Sequence, residues 1–372
     1  MPEWVDQLLE QHAAGARCAL ATVIDTFASA PRTPGATMVV TADGEVLGSV
    51  SGGCVEAATV ATAESVLESG VPTRTTFGIA ADDLFDIGLT CGGTIDIFVE
   101  KVSDALIEHL RHIQRARMEQ RPIALATVIS GATSATHLRY ENGELIGFGD
   151  DRSLGNALRA PIEEVMASGR HALIDLALTG TETLELFVQV FSPAPRMIIF
   201  GAVDFARELC RLGKILGYHT TVCDARSSFT TPARFPEADT VVVDQPQRYL
   251  ASTALNERSV LCVMTHDPKY DIPLLERALR LPVAYVGAMG SRHVSEQRLQ
   301  QLRDRGVTEQ QLGRLHAPIG LDIGGTTPAE TAVSIAAEII ATREHRSGLP
   351  LTSAHGAIHT KFRSSCLTLQ TS

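Results

Sequence analysis

The stretch RMIIFGAVDFARELCRLGKILGYHTTVCDAR (196–226) holds a strand, a glycine turn, a helix and a second strand. Met197–Phe200 is an unbroken apolar run, the kind buried in a parallel sheet. It stops at Gly201, and the helix that follows ends near Gly217. His219–Cys223 is the next strand, and Asp224 stands at its end, 23 residues after Gly201. Glycine turn, helix, strand and then an acid is the order of a dinucleotide fingerprint. There the helix start takes the pyrophosphate and the acid takes the ribose hydroxyls. The order therefore predicts a Rossmann unit. Gly201, Ala202, Val203, Asp204, Phe205 and Arg226 would lie at the nucleotide and its phosphates, with Asp224 at the ribose hydroxyls. Val203 departs from the pattern, because a glycine there normally lets the pyrophosphate reach the backbone. That counts against ordinary NAD binding.

Downstream, strands are predicted over Val241–Asp244, Val260–Thr265 and Val283–Val286, with a helix over Ile272–Arg280 and a charged helix after Arg292. Alternating strands and helices make a doubly wound α/β sheet. Ligands of such sheets sit beyond the carboxyl ends of the strands. Thr265 and His266 should thus converge with Met289, Gly290, Ser291 and Arg292 on the Gly201 turn. Ser291 and Arg292, a helix start with a cation, make a candidate anion site. Pro328 and Glu330 fit the first turn of a last helix. The linker Phe191–Pro195 precedes this unit, read as 194–347, and the aperiodic tail, 348–372, is expected to be mobile.

The residues before the linker read as an α/β region built from a degenerate two-copy repeat, 1–105 and 106–193. Ala-Thr-Val-Ile occurs at 21–24 and at 126–129, and Gly-Glu-Val-Leu-Gly at 44–48 returns as Gly-Glu-Leu-Ile-Gly at 143–147. Leu-Glu-Ser-Gly at 67–70 returns as Met-Ala-Ser-Gly at 166–169, and Ile-Asp-Ile-Phe-Val-Glu at 95–100 as Leu-Glu-Leu-Phe-Val-Gln at 184–189. Each copy reads as strand, strand, helix, strand. The offset between copies shrinks from 105 to 99 to 89, so the second copy has lost loop residues. The losses fall where the first copy carries SAPRTPG (29–35) and DIGLTCGG (86–93). Loops held on a rigid scaffold are where binding residues collect. The first copy is therefore expected to hold the functional surface.

Its centre is Ser51-Gly52-Gly53-Cys54-Val55-Glu56, between an apolar strand and a helix from about Val55. Gly52 and Gly53 allow close backbone approach of a ligand. Cys54 at a helix start would be favoured as thiolate, and the backbone N–H groups there would favour an anion. Glu56 suits the dipole and could also touch a ligand. Arg32 could supply a cation, and Cys91-Gly92-Gly93 repeats the theme before a strand. No His or Asp completes a hydrolytic triad. Cys18, Cys210, Cys223 and Cys262 fall in apolar segments and read as buried thiols.

Composition narrows the class. The formal charge of −11 argues against nucleic acid as a partner. Seven cysteines without a CxxC pair argue against a disulfide framework or zinc site and fit a reducing cytoplasm. No apolar run is long enough for a membrane span, and the first residues lack a secretory pattern.

Together, SAPRTPGATM (29–38), SGGCVE (51–56), CGG (91–93), CDAR (223–226), RFPEAD (234–239), THDPKYD (265–271), YVGAMGSR (285–292) and IGLDIGGTTPAE (319–330) resemble the XdhC/CoxI family, the xanthine dehydrogenase accessory proteins. The resemblance runs from about Ala19 to Glu338. It implies binding of the molybdenum cofactor, as molybdopterin or its nucleotide form, and delivery after sulfuration into xanthine dehydrogenase or a related molybdenum hydroxylase. It also implies a cysteine desulfurase as associated partner and no turnover of its own. Cys54 would then be the molybdenum contact, since soft metals favour thiolate. Val203, Asp204, His293 and Thr326 depart from the commoner family residues, and the middle repeat is not shared by the shortest members. A homodimer is the expected assembly. Two other readings stand beside this one: an NAD(P)-dependent oxidoreductase using the Rossmann unit, and a scaffold that binds only proteins.

Overall fold

The computed structural model describes residues 4–27, 32–78, 93–131, 133–147, 152–177, 183–354 and 367–368. The chain divides into two compact units, Met1–Pro193 with Gly356–Ser372, and Ala194–His355.

In the first unit, α1 (Trp4–Ala13) leads into β1 (Cys18–Phe27), β2 (Thr37–Thr41), β3 (Val46–Gly48), α2 (Glu56–Ser69), β4 (Thr73–Phe77) and β5 (Thr94–Lys101). Then come α3 (Asp104–Met118), β6 (Ile123–Val128), β7 (His137–Glu141), β8 (Glu144–Ile146), α4 (Arg152–Ser168), β9 (Ala172–Ala177) and β10 (Thr183–Phe191). The first sheet runs β3-β2-β1-β5-β4, and the second runs β8-β7-β6-β10-β9. All these pairings are antiparallel. Both sheets thus have one connectivity.

Strand alternation explains the layers. In β1, Ala19, Ala21 and Val23 face Ala63, Val66 and Leu67 of α2, while Cys18 and Leu20 join a second core with α1 and α3. In β6, Ala124, Ala126 and Val128 face Leu158, Ile162 and Val165 of α4, while Ile123 and Leu125 join that same second core. α3 therefore packs on both sheets through Leu106, Ile107, Leu110 and Ile113. The division expected at residue 105 falls inside this helix, whose Ser103 cap accepts from the Leu106 N–H at 3.2 Å. Buried polar groups also bridge the sheets: Glu100 of β5 meets His137 of β7 at 3.0 Å, both side chains 4% exposed.

The second unit holds β11 (Arg196–Phe200), α5 (Asp204–Ile215), β12 (His219–Asp224), β13 (Thr240–Val243), α6 (Pro246–Ser252), β14 (Val260–Val263) and α7 (Pro268–Ala278). It continues with β15 (Tyr285–Ala288), α8 (Arg292–Asp304), α9 (Glu309–Leu312), β16 (Leu315–His316) and α10 (Pro328–Arg343). The strand order is β13-β12-β11-β14-β15-β16, all parallel, the doubly wound order of a Rossmann domain. Ile198, Phe200, Leu261 and Val263 pack on α6, α7 and α8, and Met197, Ile199, Val260 and Cys262 on α5 and α10. The strand expected to reach Thr265 stops at Val263. α7 starts earlier than expected because Asp267 caps it, accepting from the Lys269 N–H at 3.0 Å, with Pro268 in its first turn. α10 starts as expected, with a capping box between Thr327 and Glu330.

The described residues of the tail, 348–354 and 367–368, include two short elements. Leu351–Ser353 forms a 3-10 turn, and β17 (Leu367–Thr368) pairs in parallel with β9.

Candidate functional site

One carboxylate shapes the Gly-Gly-Cys loop. Glu56 turns back from the start of α2 and accepts from the N–H groups of Ser51 (2.9 Å), Gly52 (2.7 Å) and Gly53 (2.8 Å). It also accepts from the hydroxyls of Ser49 (2.7 Å) and Ser51. Ser51 Oγ in turn accepts from the N–H groups of Cys54 (3.0 Å) and Val55 (3.1 Å). Positive φ at Gly52 (83°) and Gly53 (129°) lets the backbone wrap the carboxylate. Burial alone would push Glu56 up, but these hydroxyls and N–H groups hold it well below the usual carboxylate range.

This corrects the expectation that the loop's N–H groups await an external anion: Glu56 and Ser51 already occupy them. Glu56 is a builder of the loop, its oxygens committed to loop donors, and Ser51 is 2% exposed and supports it. What the loop offers to solvent is Gly52, Gly53 and Cys54, all exposed. Cys54 lies one residue outside the Val55 N-cap, at the positive end of the α2 dipole.

Topology gathers the other first-copy candidates at the same end of the sheet. Arg32 is exposed in a turn fixed to β1 by Gly35 N–H to Val23 O (2.8 Å) and Val23 N–H to Ala36 O (2.9 Å). That turn enters β2 at Thr37, whose carbonyl accepts from the Ser49 N–H at 3.2 Å, where the Cys54 loop begins. Thr94 pairs with Phe27, so Gly93 enters β5 at that end too, and Gly93 is buried. Cys91 and Gly92 lie outside the described residues. Cys18, Cys210, Cys223 and Cys262 are buried, and burial raises all four thiols, Cys223 to about 12.

In the second unit, parallel register brings Gly201, Asp224, Thr265 and Met289 to one edge: Phe200 is level with Cys223 and Val263, and Val263 with Ala288. Gly201 has φ 116°, and a Cβ there would come within 2.9 Å of Thr265 Cγ2. Val203 is the N-cap of α5 and gives it no side-chain cap; Asp204 and Phe205 begin the helix. Asp224 departs from its expected role. Its Oδ2 accepts from the Ala202 N–H (2.8 Å) and Arg226 Nη2 (2.7 Å), and its Oδ1 from the Arg226 N–H (2.9 Å) and Nε (3.0 Å). Burial pushes this carboxyl up, but the Arg226 fork and the Ala202 N–H outweigh it. Asp224 thus fastens the glycine turn to the strand end.

Thr265 donates to Asp271, which also meets Arg298 at 3.3 Å beneath the surface. His266 is exposed, Met289 and Gly290 are half-buried, and Ser291 caps α8 by accepting from the Val294 N–H at 3.2 Å. Arg292 is exposed and lies 3.8 Å from Asp322. Sequence reasoning missed Phe229 and Arg234, which flank this edge, and the buried Asp271–Arg298 pair. RFPEAD carried a signal for Arg234; a charged helix carries none for a buried arginine.

Fold and loops define a two-unit α/β protein, with an exposed thiol on a carboxylate-built loop in one unit and a Rossmann sheet edge in the other. The chain belongs to the XdhC and CoxI family: residues 11–78 match that family, and residues 197–339 match its XdhC Rossmann domain. It is 26% identical over 343 residues to a probable xanthine dehydrogenase subunit of Bacillus subtilis (strain 168), covering 91% of this chain and 96% of the relative. It is 26% identical over 332 residues to the molybdenum cofactor insertion chaperone PaoD of Escherichia coli (strain K12), covering 89% of this chain and 85% of that one. A crystal structure from Bacillus halodurans, described as a xanthine dehydrogenase, superposes with a TM-score of 0.67 at 25% identity, over 94% of this chain and 98% of the other.

Proposed function

We propose that this protein is an accessory carrier that binds the molybdenum cofactor and helps insert it, once sulfurated, into xanthine dehydrogenase or a related molybdenum hydroxylase. The descriptions of its relatives support this reading rather than an NAD(P)-dependent oxidoreductase. The observation that carries it is Cys54, exposed on a loop that Glu56 fixes from within. A soft thiolate suits molybdenum. No cluster of three or more His, Cys, Asp or Glu side chains stands ready to cage a bare ion among the described residues. A single thiol suits a metal that arrives inside an organic cofactor and must be handed on. The C-terminal sheet edge is read as a phosphate or nucleotide site. A cysteine desulfurase as sulfur donor, a homodimer and a cytoplasmic location complete the proposal; no helix among the described residues is long and apolar enough to cross a membrane.

The test is equilibrium binding of purified molybdenum cofactor, without oxygen, to the wild type and to Cys54→Ala. Near-stoichiometric binding by the wild type, lost in a variant with unchanged thermal unfolding, is expected. Retention by the variant would remove Cys54 from the role, and no binding by either protein would overturn the carrier reading.

A further inference from the structure

We propose that the carboxyl end of β12 is a subsite for a nucleotide bearing a phosphate on its ribose, read by Arg226 and Arg234. The inference deepens the reading of the C-terminal sheet edge as a nucleotide site and is independent of the role given to Cys54.

In a Rossmann sheet this strand end meets the ribose. An available acid there selects a free diol, and an arginine selects a 2′-phosphate. Here the exposed group is the arginine. The Asp224 side chain is 6% exposed and that of Arg226 51%. Both Asp224 oxygens are engaged, by the Ala202 N–H and by the backbone and fork of Arg226. The acid could grip two hydroxyls only by giving up the fork. Arg226 commits its Nε and Nη2 to Asp224, and no described residue bonds its Nη1.

A second cation packs on the same ring as the first. Arg226 and Arg234 both lie over the Phe229 ring, at 5.0 Å and 5.2 Å from its centroid, and Phe229 is 43% exposed. The ring's quadrupole attracts each guanidinium. Arg234 meets an acid only at 3.6 Å, from Asp204, which is 78% exposed. Such a surface pair is weak and yields readily to a better ligand. Among the described residues, the acids paired with the two arginines are Asp224 and Asp204. One is clamped and nearly buried, the other at the rim. Two partly exposed arginines held on one ring, beside a neutralised acid, match a dianionic phosphate, which forms charge-assisted and bidentate bonds with guanidinium.

Calorimetric titration of the full chain with 2′,5′-ADP and with 5′-AMP isolates the ribose phosphate, the one difference between these probes. NADP⁺ and NAD⁺ form the second pair. The 2′-phosphorylated member of each pair is expected to bind at least about tenfold more tightly, the size of one charge-assisted contact. Arg234→Ala should pull that ratio towards one. Arg226→Ala should do the same and also strengthen NAD⁺ binding, because it uncovers Asp224. If Arg226→Ala misfolds, Arg226→Lys keeps the charge, loses the fork and should still lower the ratio. Equal affinities in the wild type, no binding of either probe, or a ratio that survives in Arg234→Ala would each overturn the proposal. Cofactor binding that depends on Cys54 is measured separately, so the two readings can fail separately.

Discussion

Glu56 is the residue on which the thiol loop turns, because one side chain satisfies three loop N–H groups and two hydroxyls. Glu56→Ala should therefore cost about 1–3 kcal/mol, the range for leaving hydrogen-bonding groups without their charged partner. Urea unfolding would measure it. The rate of Cys54 alkylation should change with it, since the loop that presents the thiol loses its frame. An unchanged rate and stability would mean the loop holds itself. Gly35 is a second constraint: φ is 91°, and a Cβ there would lie 2.1 Å from His171 Cδ2. Gly35→Ala should lower the melting temperature, and His171→Ala in the same chain should restore part of the loss, a coupling that a double-mutant cycle reads directly. These two residues also mark how far sequence reaches. Gly52, Gly53 and Cys54 were legible because residue type alone limits what they can do. The partner of the loop's N–H groups was not, because Glu56 and an external anion are equal candidates until geometry shows Glu56 folding back. Asp224 repeats the case: its position was readable, its engagement by Ala202 and Arg226 was not.

At the level of elements, long periodic segments were readable and the pieces between them were not. β11, α5 and β12 follow the apolar run, the glycine turn and the second run closely. α3 escaped notice although Ser103, Leu106, Ile107, Leu110 and Ile113 give it a cap and a stripe, because the two matching copies drew the boundary through it. α9 and β16 are too short for periodicity to show. α3 and the strand region after α4 also carry a pH response. Burial depresses His109, helped by the neighbouring Arg139 cation, and burial depresses His171; both fall from an ordinary 6.5 to about 4. His171 Nδ1 accepts from the Val190 N–H at 3.0 Å, and His109 Nδ1 faces Arg139 Nη1 at 3.2 Å, so both rings are bound as neutral imidazoles. The unfolded chain takes up protons below about pH 6.5 while the folded chain does not until about pH 4. Stability is then full above that window and falls through it as pH drops, by up to about 1.4 kcal/mol per pH unit for each histidine. Urea midpoints between pH 7.5 and 4.5 would show the fall, and His171→Gln should make it shallower. A slope that Gln leaves unchanged would assign the pH response to other groups.

Across the whole molecule, the alternating strands and helices after the Pro-rich linker marked one domain edge, and the two compact units part there, between Pro193 and Ala194. Residues 194–355 own a complete parallel sheet, with one core of Ile198, Phe200, Leu261 and Val263 against α6, α7 and α8, and another of Met197, Ile199, Val260 and Cys262 against α5 and α10. Both faces of that sheet are covered by helices from the same stretch of chain, which a parallel sheet requires to exclude water. A fragment of these residues is therefore expected to fold by itself and to unfold in one cooperative urea transition, as domains of this size generally do. Because Asp224, Arg226, Phe229 and Arg234 all lie within it, the fragment should bind 2′,5′-ADP as the full chain does. A fragment with helical circular dichroism but no cooperative transition would mean that the sheet needs the rest of the chain to pack. A cooperative fragment without nucleotide affinity would instead leave the fold autonomous and remove the ribose-phosphate site from it.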